Sequence, residues 1–129
     1  MDRTAFQDWL DRYLEAWRTN DAEAIGQLFS ADATYLWNPY DEPTRGREEI
    51  VKGWTEDWEP PETWEARYEA LAVDGDVCVA HGRTRYLAGS DSAGREYDNI
   101  FVCRFDGEGR CREFTEWFME PRREAVEAA

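Results

Sequence analysis

The chain has 129 residues, room for one domain and one core. Its 29 Asp and Glu against 15 Lys and Arg leave a formal charge of −14 at pH 7, which argues against nucleic acid and against an anionic membrane surface as partners. With 34% charged residues it resembles a disordered chain in one respect only: seven Trp, six Tyr and six Phe, each able to bury roughly 150–250 Å², point to a folded domain with an aromatic core.

Apolar residues Phe6, Trp9, Leu10, Tyr13 and Trp17 recur at helical spacing, so residues 4–18 are expected to form a helix with one buried stripe. Thr4 followed by Gln7 reads as its capping box. Asn20 followed by Glu23 repeats the start signal for a short second helix carrying Ile25, Leu28 and Phe29. Ala33–Trp37 is β-prone and stops at Asn38-Pro39. Helical spacing returns over Gly46–Trp58 through Ile50, Trp54 and Trp58, and Pro60-Pro61 ends it.

From Thr63 the period becomes two: Trp64, Ala66, Tyr68 and Ala70 alternate with Glu65, Arg67 and Glu69. Asp74-Gly75 marks a hairpin turn. Further strands are expected at Val77–Leu87, Tyr97–Phe105 and Arg110–Met119, separated by the Gly- and Ser-rich loop 88–94 and the turn 106–109. The order α-α-β-α-β-β-β-β is an α+β class: a strongly curved antiparallel sheet wrapped over three helices, a cone-shaped α+β barrel with one mouth. Residues 1–129 form one domain, with 121–129 as a polar, frayed tail.

Cys78, Cys103 and Cys111 are odd in number, match no zinc spacing and have only His81 to help them. They read as buried thiols in a reducing compartment, and the cytoplasm is the expected location. No apolar run approaches the roughly 20 residues of a membrane span, and the acidic N-terminus is unlike a signal peptide. No phosphate loop, Ser-His-Asp order, calcium loop or metal triad is found, so no metal and no cofactor are expected.

Strand alternation sorts the candidate site residues. Tyr97, Asn99, Phe101 and Cys103 share one face; Phe114, Glu116 and Phe118 another; Cys78, Ala80, Gly82, Thr84 and Tyr86 oppose His81, Arg83 and Arg85. A slip of one residue would bring His81, Arg83 and Arg85 inward together.

Three segments, RYLEAWRTNDAEAIGQLFSADATY (Arg12–Tyr35), GREEIVKGW (Gly46–Trp54) and VCRFDGEGRCREFTEWF (Val102–Phe118), resemble the SnoaL-like, nuclear transport factor 2-like superfamily in the same order and over nearly the whole chain. That superfamily includes ketosteroid isomerases, polyketide cyclases, scytalone dehydratase and limonene epoxide hydrolase. The resemblance implies the cone and places Asn99, Phe101, Phe114, Glu116 and Phe118 inside it. His81, Arg83 and Arg85 would then lie outside, in reach of Asp98 and Glu113. The outer sheet face would form a homodimer contact including Trp117.

Tyr13 resembles the tyrosine that ketosteroid isomerases place in an oxyanion hole; its other reading is a core residue of the first helix. The isomerase's other two groups are missing. Trp37 and Asn38 stand where its basic aspartate belongs, and Phe101 where its protonated aspartate belongs, so steroid isomerisation by that route is not expected. His81 invites comparison with the dehydratases but lacks a second histidine.

Glu116 is the remaining inward acid, and burial among aromatic rings should raise its pKa. In the polyketide cyclases one acidic residue moves protons at carbon without a cofactor. The expected catalytic pair is therefore Glu116 and Tyr13. The pocket is expected to be lined by Trp17, Phe29, Tyr35, Trp37, Asn38, Tyr40, Trp54, Trp58, Tyr86, Asn99, Phe101, Phe114 and Phe118, and to hold a small apolar or aromatic carbonyl compound. The alternatives are a non-catalytic module for a hydrophobic ligand and a protein-interaction domain using the outer sheet face.

Overall fold

The apolar stripe near the N-terminus winds into helix α1 (Arg3–Thr19), which buries Phe6, Trp9, Leu10, Tyr13 and Ala16. The computed structural model describes residues 1–122, so the tail expected at 121–129 lies outside the described residues from 123 on. The helix is capped by Asp2, whose carboxylate accepts from the Ala5 N–H at 2.8 Å, and not by Thr4. Asp is as good a cap, and starting at Arg3 leaves Gln7 free for another task. Its amide donates to the Tyr68 carbonyl at 3.1 Å and accepts from the Ala70 N–H at 2.8 Å. Asn20 starts no helix: it ends α1 in the left-handed conformation, φ 53°, its N–H donating to the Ala16 carbonyl. Asp21 then caps α2 (Ala22–Gln27) by accepting from the N–H groups of Glu23 and Ala24.

Strand β1 (Phe29–Leu36) starts four residues before the expected point because its first residue pairs with Cys111. A two-residue strand β2 (Thr44–Arg45) follows. Helix α3 (Arg47–Glu56) is shorter than its apolar spacing suggested. Gly46, at φ 89°, stands outside it as the N-cap, and Asp57 ends it. A 3-10 turn, Pro61–Thr63, leads into β3 (Trp64–Asp74), β4 (Val77–Tyr86), β5 (Glu96–Phe105) and β6 (Cys111–Met119). The β3–β4 turn is centred on Gly75-Asp76, one residue later than expected, since Asp74 pairs with Val77.

These strands form one curved sheet in the order β2-β1-β6-β5-β4-β3, with the helices against it. The α+β class and the strong curvature hold, while the sheet stays open and its β1–β6 pair is parallel. A parallel neighbour needs a long crossover, which the intervening chain between β1 and β6 provides.

The inner face carries Cys78, Ala80, Gly82 and Thr84 of β4, Asn99, Phe101 and Cys103 of β5 and Phe114 of β6, all buried. His81, Arg83 and Arg85 face outward. The His81 Nε2 lies 2.7 Å from an Asp98 oxygen, and Arg83 pairs with the same carboxylate at 3.4 Å. Glu113 meets Arg104 at 3.0 Å, its cross-strand partner in the β5–β6 ladder, and not the β4 cations. All three cysteines are free and buried; burial pushes the Cys78 thiol up to about 11 and Cys103 well above the usual thiol range. Among the described residues no helix is long and apolar enough to cross a membrane.

Candidate functional site

Between α1, α3 and the inner sheet face lies a cavity of about 330 Å³. Burial divides its lining into a floor and a rim. Tyr13, Trp54, Tyr68, Thr84 and Asn99 are buried, with Glu116 slightly more accessible. The rim comprises Trp17, Trp37, Tyr86, Tyr97 and Phe118 together with Asp57, Glu59 and Ser92.

A chain of hydrogen bonds runs across the sheet to Glu116. Asn99 donates from Nδ2 to Glu116 Oε2 at 2.7 Å and accepts at Oδ1 from the Thr84 hydroxyl at 3.0 Å. Since Thr84 has spent its hydrogen there, the Tyr68 hydroxyl 3.0 Å away must donate to it. Each donor in the chain thus has one assigned acceptor, and the chain terminates on one carboxyl oxygen of Glu116. The other oxygen, Oε1, has no hydrogen bond among the described residues. Burial raises the Glu116 carboxyl to about 7, with the Asn99 amide pulling the other way.

The second polar pair is phenolic. The Tyr13 and Tyr35 hydroxyls lie 3.4 Å apart. Two hydroxyls joined by one hydrogen bond leave one hydrogen unused; with Tyr35 fully buried behind the wall, Tyr13 is the phenol that meets the cavity. Burial holds both well above the ordinary phenol range, reinforced for Tyr13 by the neighbouring Tyr35, Tyr68 and Glu116. Tyr13 is consequently a neutral donor at any physiological pH. The Trp54 indole nitrogen is sealed off from the cavity, and its N–H interacts with the Tyr35 hydroxyl behind the wall.

Of the residues singled out in the sequence, Glu116, Tyr13, Trp17, Trp37, Trp54, Tyr86, Asn99 and Phe118 come together around this cavity. Phe29, Tyr35, Phe101 and Phe114 do not line it. They form the packed layer behind, where the Phe114 ring stacks on Tyr35 with centroids 4.4 Å apart. Trp58 also stays off the wall; its indole N–H donates to the Trp17 carbonyl at 2.8 Å, bracing a rim residue. Asn38 and Tyr40 are corrections of a different kind. Asn38 accepts from the Tyr40 N–H at 2.9 Å in a local turn, and that turn throws Tyr40 outward, 98% exposed.

Sequence reading missed Tyr68, Thr84 and Tyr97, whose inward direction the strand alternation does encode. It also missed Asp57, Glu59 and Ser92, which lie in segments without periodicity. Of the residues that the resemblance sets in place of the steroid isomerase's two aspartates, Trp37 contributes only a ring to the rim, Asn38 lies off the cavity and Phe101 is in the core. Among the described residues no group of three His, Cys, Asp or Glu is arranged to hold a metal ion.

Comparison with known proteins places this geometry. No curated protein matches the chain. An NTF-2 like protein of unknown function from Burkholderia xenovorans LB400 superposes with a TM-score of 0.71 at 17% identity, covering 97% of this chain and 91% of that one. An uncharacterized bacterial protein with a cystatin-like fold from Silicibacter pomeroyi DSS-3 gives 0.65 at 13% identity, covering 86% and 73%. At such identities the likeness is one of fold. The SnoaL-like domain family matches directly in sequence, over residues 10–114. This chain therefore belongs to the SnoaL-like domain family.

Proposed function

We propose that the cavity takes a small, largely apolar carbonyl compound and that Glu116 moves a proton at the carbon next to the carbonyl, without a cofactor. What supports this is one observation: a single carboxyl group, raised to about 7 and anchored through Asn99, shares a cavity with a neutral phenol. Near neutrality such a group exists in both forms, so it can accept a proton and return it. Ionised Glu116 removes the carbon-bound proton; the carbonyl oxygen gains the charge and accepts a hydrogen bond from Tyr13. The protonated Glu116 then delivers its proton to another carbon or to a leaving hydroxyl, and attack of the enolate carbon on a second carbonyl would close a ring. Isomerisation, dehydration and cyclisation share this first step. The Asn99 amide keeps Oε2 occupied and leaves Oε1 to do the transfer.

The test is deuterium exchange. A panel of small aryl ketones and cyclic diketones in D₂O, followed by NMR, is expected to exchange at the carbon next to the carbonyl in the presence of the protein. Glu116→Gln should slow exchange by about 100-fold or more, and Tyr13→Phe by about 100-fold. Exchange unaffected by either change would overturn the assignment. Tight binding of a panel member with no exchange would make the cavity a carrier site for a hydrophobic ligand.

The same reading includes a homodimer formed through the outer sheet face, on which Trp117 is 46% and Met119 73% exposed. It also has the protein working in the cytoplasm, where three free buried thiols are safe from pairing.

A further inference from the structure

We propose that the ligand of this cavity carries an alkylammonium head, held at the rim by aromatic faces and the carboxylates of Asp57 and Glu59, with its carbonyl directed to the floor. The inference rests on the reading of the cavity as a ligand site and names the class of molecule it takes.

Charge argues first. The lining contains three acids, Asp57, Glu59 and Glu116, and no Lys, Arg or His. A purely apolar ligand has no use for carboxylates beside the rings it stacks on, and an anion is repelled by them. The carboxylates are also accounted for individually. Glu59 is held in place by its Oε1, which accepts from the Ser90 hydroxyl at 2.8 Å and the Asp91 N–H at 3.0 Å, while its Oε2 has no hydrogen bond among the described residues. Asp57 is the C-cap of α3, where the helix's own dipole adds negative potential. Arg95 donates to the hydroxyl of the rim residue Tyr97 at 3.3 Å but is paired with Glu120 at 3.2 Å.

The walls argue second. Trp17, Trp37, Tyr86, Tyr97 and Phe118 line the same cavity as these acids, and aromatic faces attract a cation most strongly when it is already poorly hydrated. An ammonium bearing alkyl groups meets that condition, and its alkyl surface fits the apolar part of the rim.

The floor argues third. Tyr13 brings a phenol hydroxyl to it, a donor for an acceptor such as a carbonyl oxygen. A phenolic floor and an anionic, aromatic rim together define a molecule with a carbonyl at one end and a cation at the other.

The probes are phenyltrimethylammonium, its neutral isostere tert-butylbenzene, and benzenesulfonate, with binding followed by calorimetry and tryptophan fluorescence. The cation is expected to bind at least tenfold tighter than the isostere, and the sulfonate not at all. The double change Asp57→Asn and Glu59→Gln, which keeps the acceptor for the Ser90 loop, should weaken the cation about tenfold and leave the isostere unchanged. Equal or tighter binding of tert-butylbenzene, an unaffected cation in the double variant, or no binding of the cation would overturn the proposal. Cation preference is measured without turnover, so it stands or falls separately from proton transfer, which Glu116→Gln tests.

Discussion

At the scale of single residues, Glu116 links stability to chemistry. Its carboxyl holds a proton up to about 7 in the folded chain, against an ordinary 4.5. Between those two pH values the folded state binds a proton that the unfolded state has lost, so stability declines as pH rises through that window. The full cost above neutrality is at most about 3 kcal/mol. Glu116→Gln keeps an oxygen to accept from Asn99 and cannot ionise. Urea unfolding should therefore find the variant equal to the parent at pH 5 and about 1–3 kcal/mol more stable at pH 8. Equal destabilisation at both pH values would mean that the carboxyl is not desolvated in the folded protein. A gain in stability accompanied by loss of exchange is the pattern expected of a group kept against its electrostatic cost.

Gly82 is the second residue with a definite consequence. A Cβ built there would lie 2.1 Å from the Tyr68 ring and 2.4 Å from the Arg67 carbonyl. The Tyr68 ring lies across its cross-strand glycine and from there sends its hydroxyl to Thr84. Gly82→Ala should push Tyr68 into the cavity and break the chain that ends on Glu116. The expected cost is about 1–3 kcal/mol in urea unfolding, with a loss of ligand affinity that the milder variant Thr84→Val, which spares Tyr68's position, reproduces only in part. Unchanged affinity in Gly82→Ala would show that the ring's position does not matter.

At the scale of elements, α1 does more than cover the sheet. β3 is irregular between Ala70 and Ala72, where its register against β4 shifts, and Gln7 supplies partners to the Tyr68 carbonyl and the Ala70 N–H at that irregularity. Arg3 adds a bond to the Ala70 carbonyl at 3.2 Å. Gln7→Leu would leave both backbone groups unpaired, at about 2–3 kcal/mol, readable in urea unfolding and as faster amide exchange at Ala70. The sequence hides this role, because a glutamine three residues after a threonine also fits a cap. Alternation, by contrast, made the inner faces of the long strands legible, since a period of two survives any uncertainty at strand ends. It did not reveal β2, which is two residues long, or the parallel β1–β6 pairing, which no local pattern encodes. The site followed the same rule. Parity gave Glu116 and Asn99 each a strand face and the family resemblance named that face as the inner one, whereas Asp57, Glu59 and the outward turn at Tyr40 depend on how irregular segments fold back.

At the scale of the whole molecule, a charge of −14 should oppose self-association, unless the mating surface is locally neutral. The outer sheet face meets that condition. It carries Arg67, Arg83, Arg85 and Arg104 against Glu65, Glu69, Glu96, Asp98 and Glu113, close to balance, with paired charges such as Arg104–Glu113 already formed. The excess acid lies mainly on the helices and loops. Along β6 the same face presents Trp117 and Met119, both substantially exposed. A homodimer through this face would cover them while keeping the acidic helices of the two copies apart. Residual repulsion between two such chains is screened by salt, so association should tighten as ionic strength rises. Sedimentation is expected to find a dimer at micromolar concentration and more dimer in added salt. Trp117→Glu should give a monomer with unchanged circular dichroism and an intact cavity. A parent protein that stays monomeric at high concentration and high salt would remove the dimer, and the exposed Trp117 would then need a different partner.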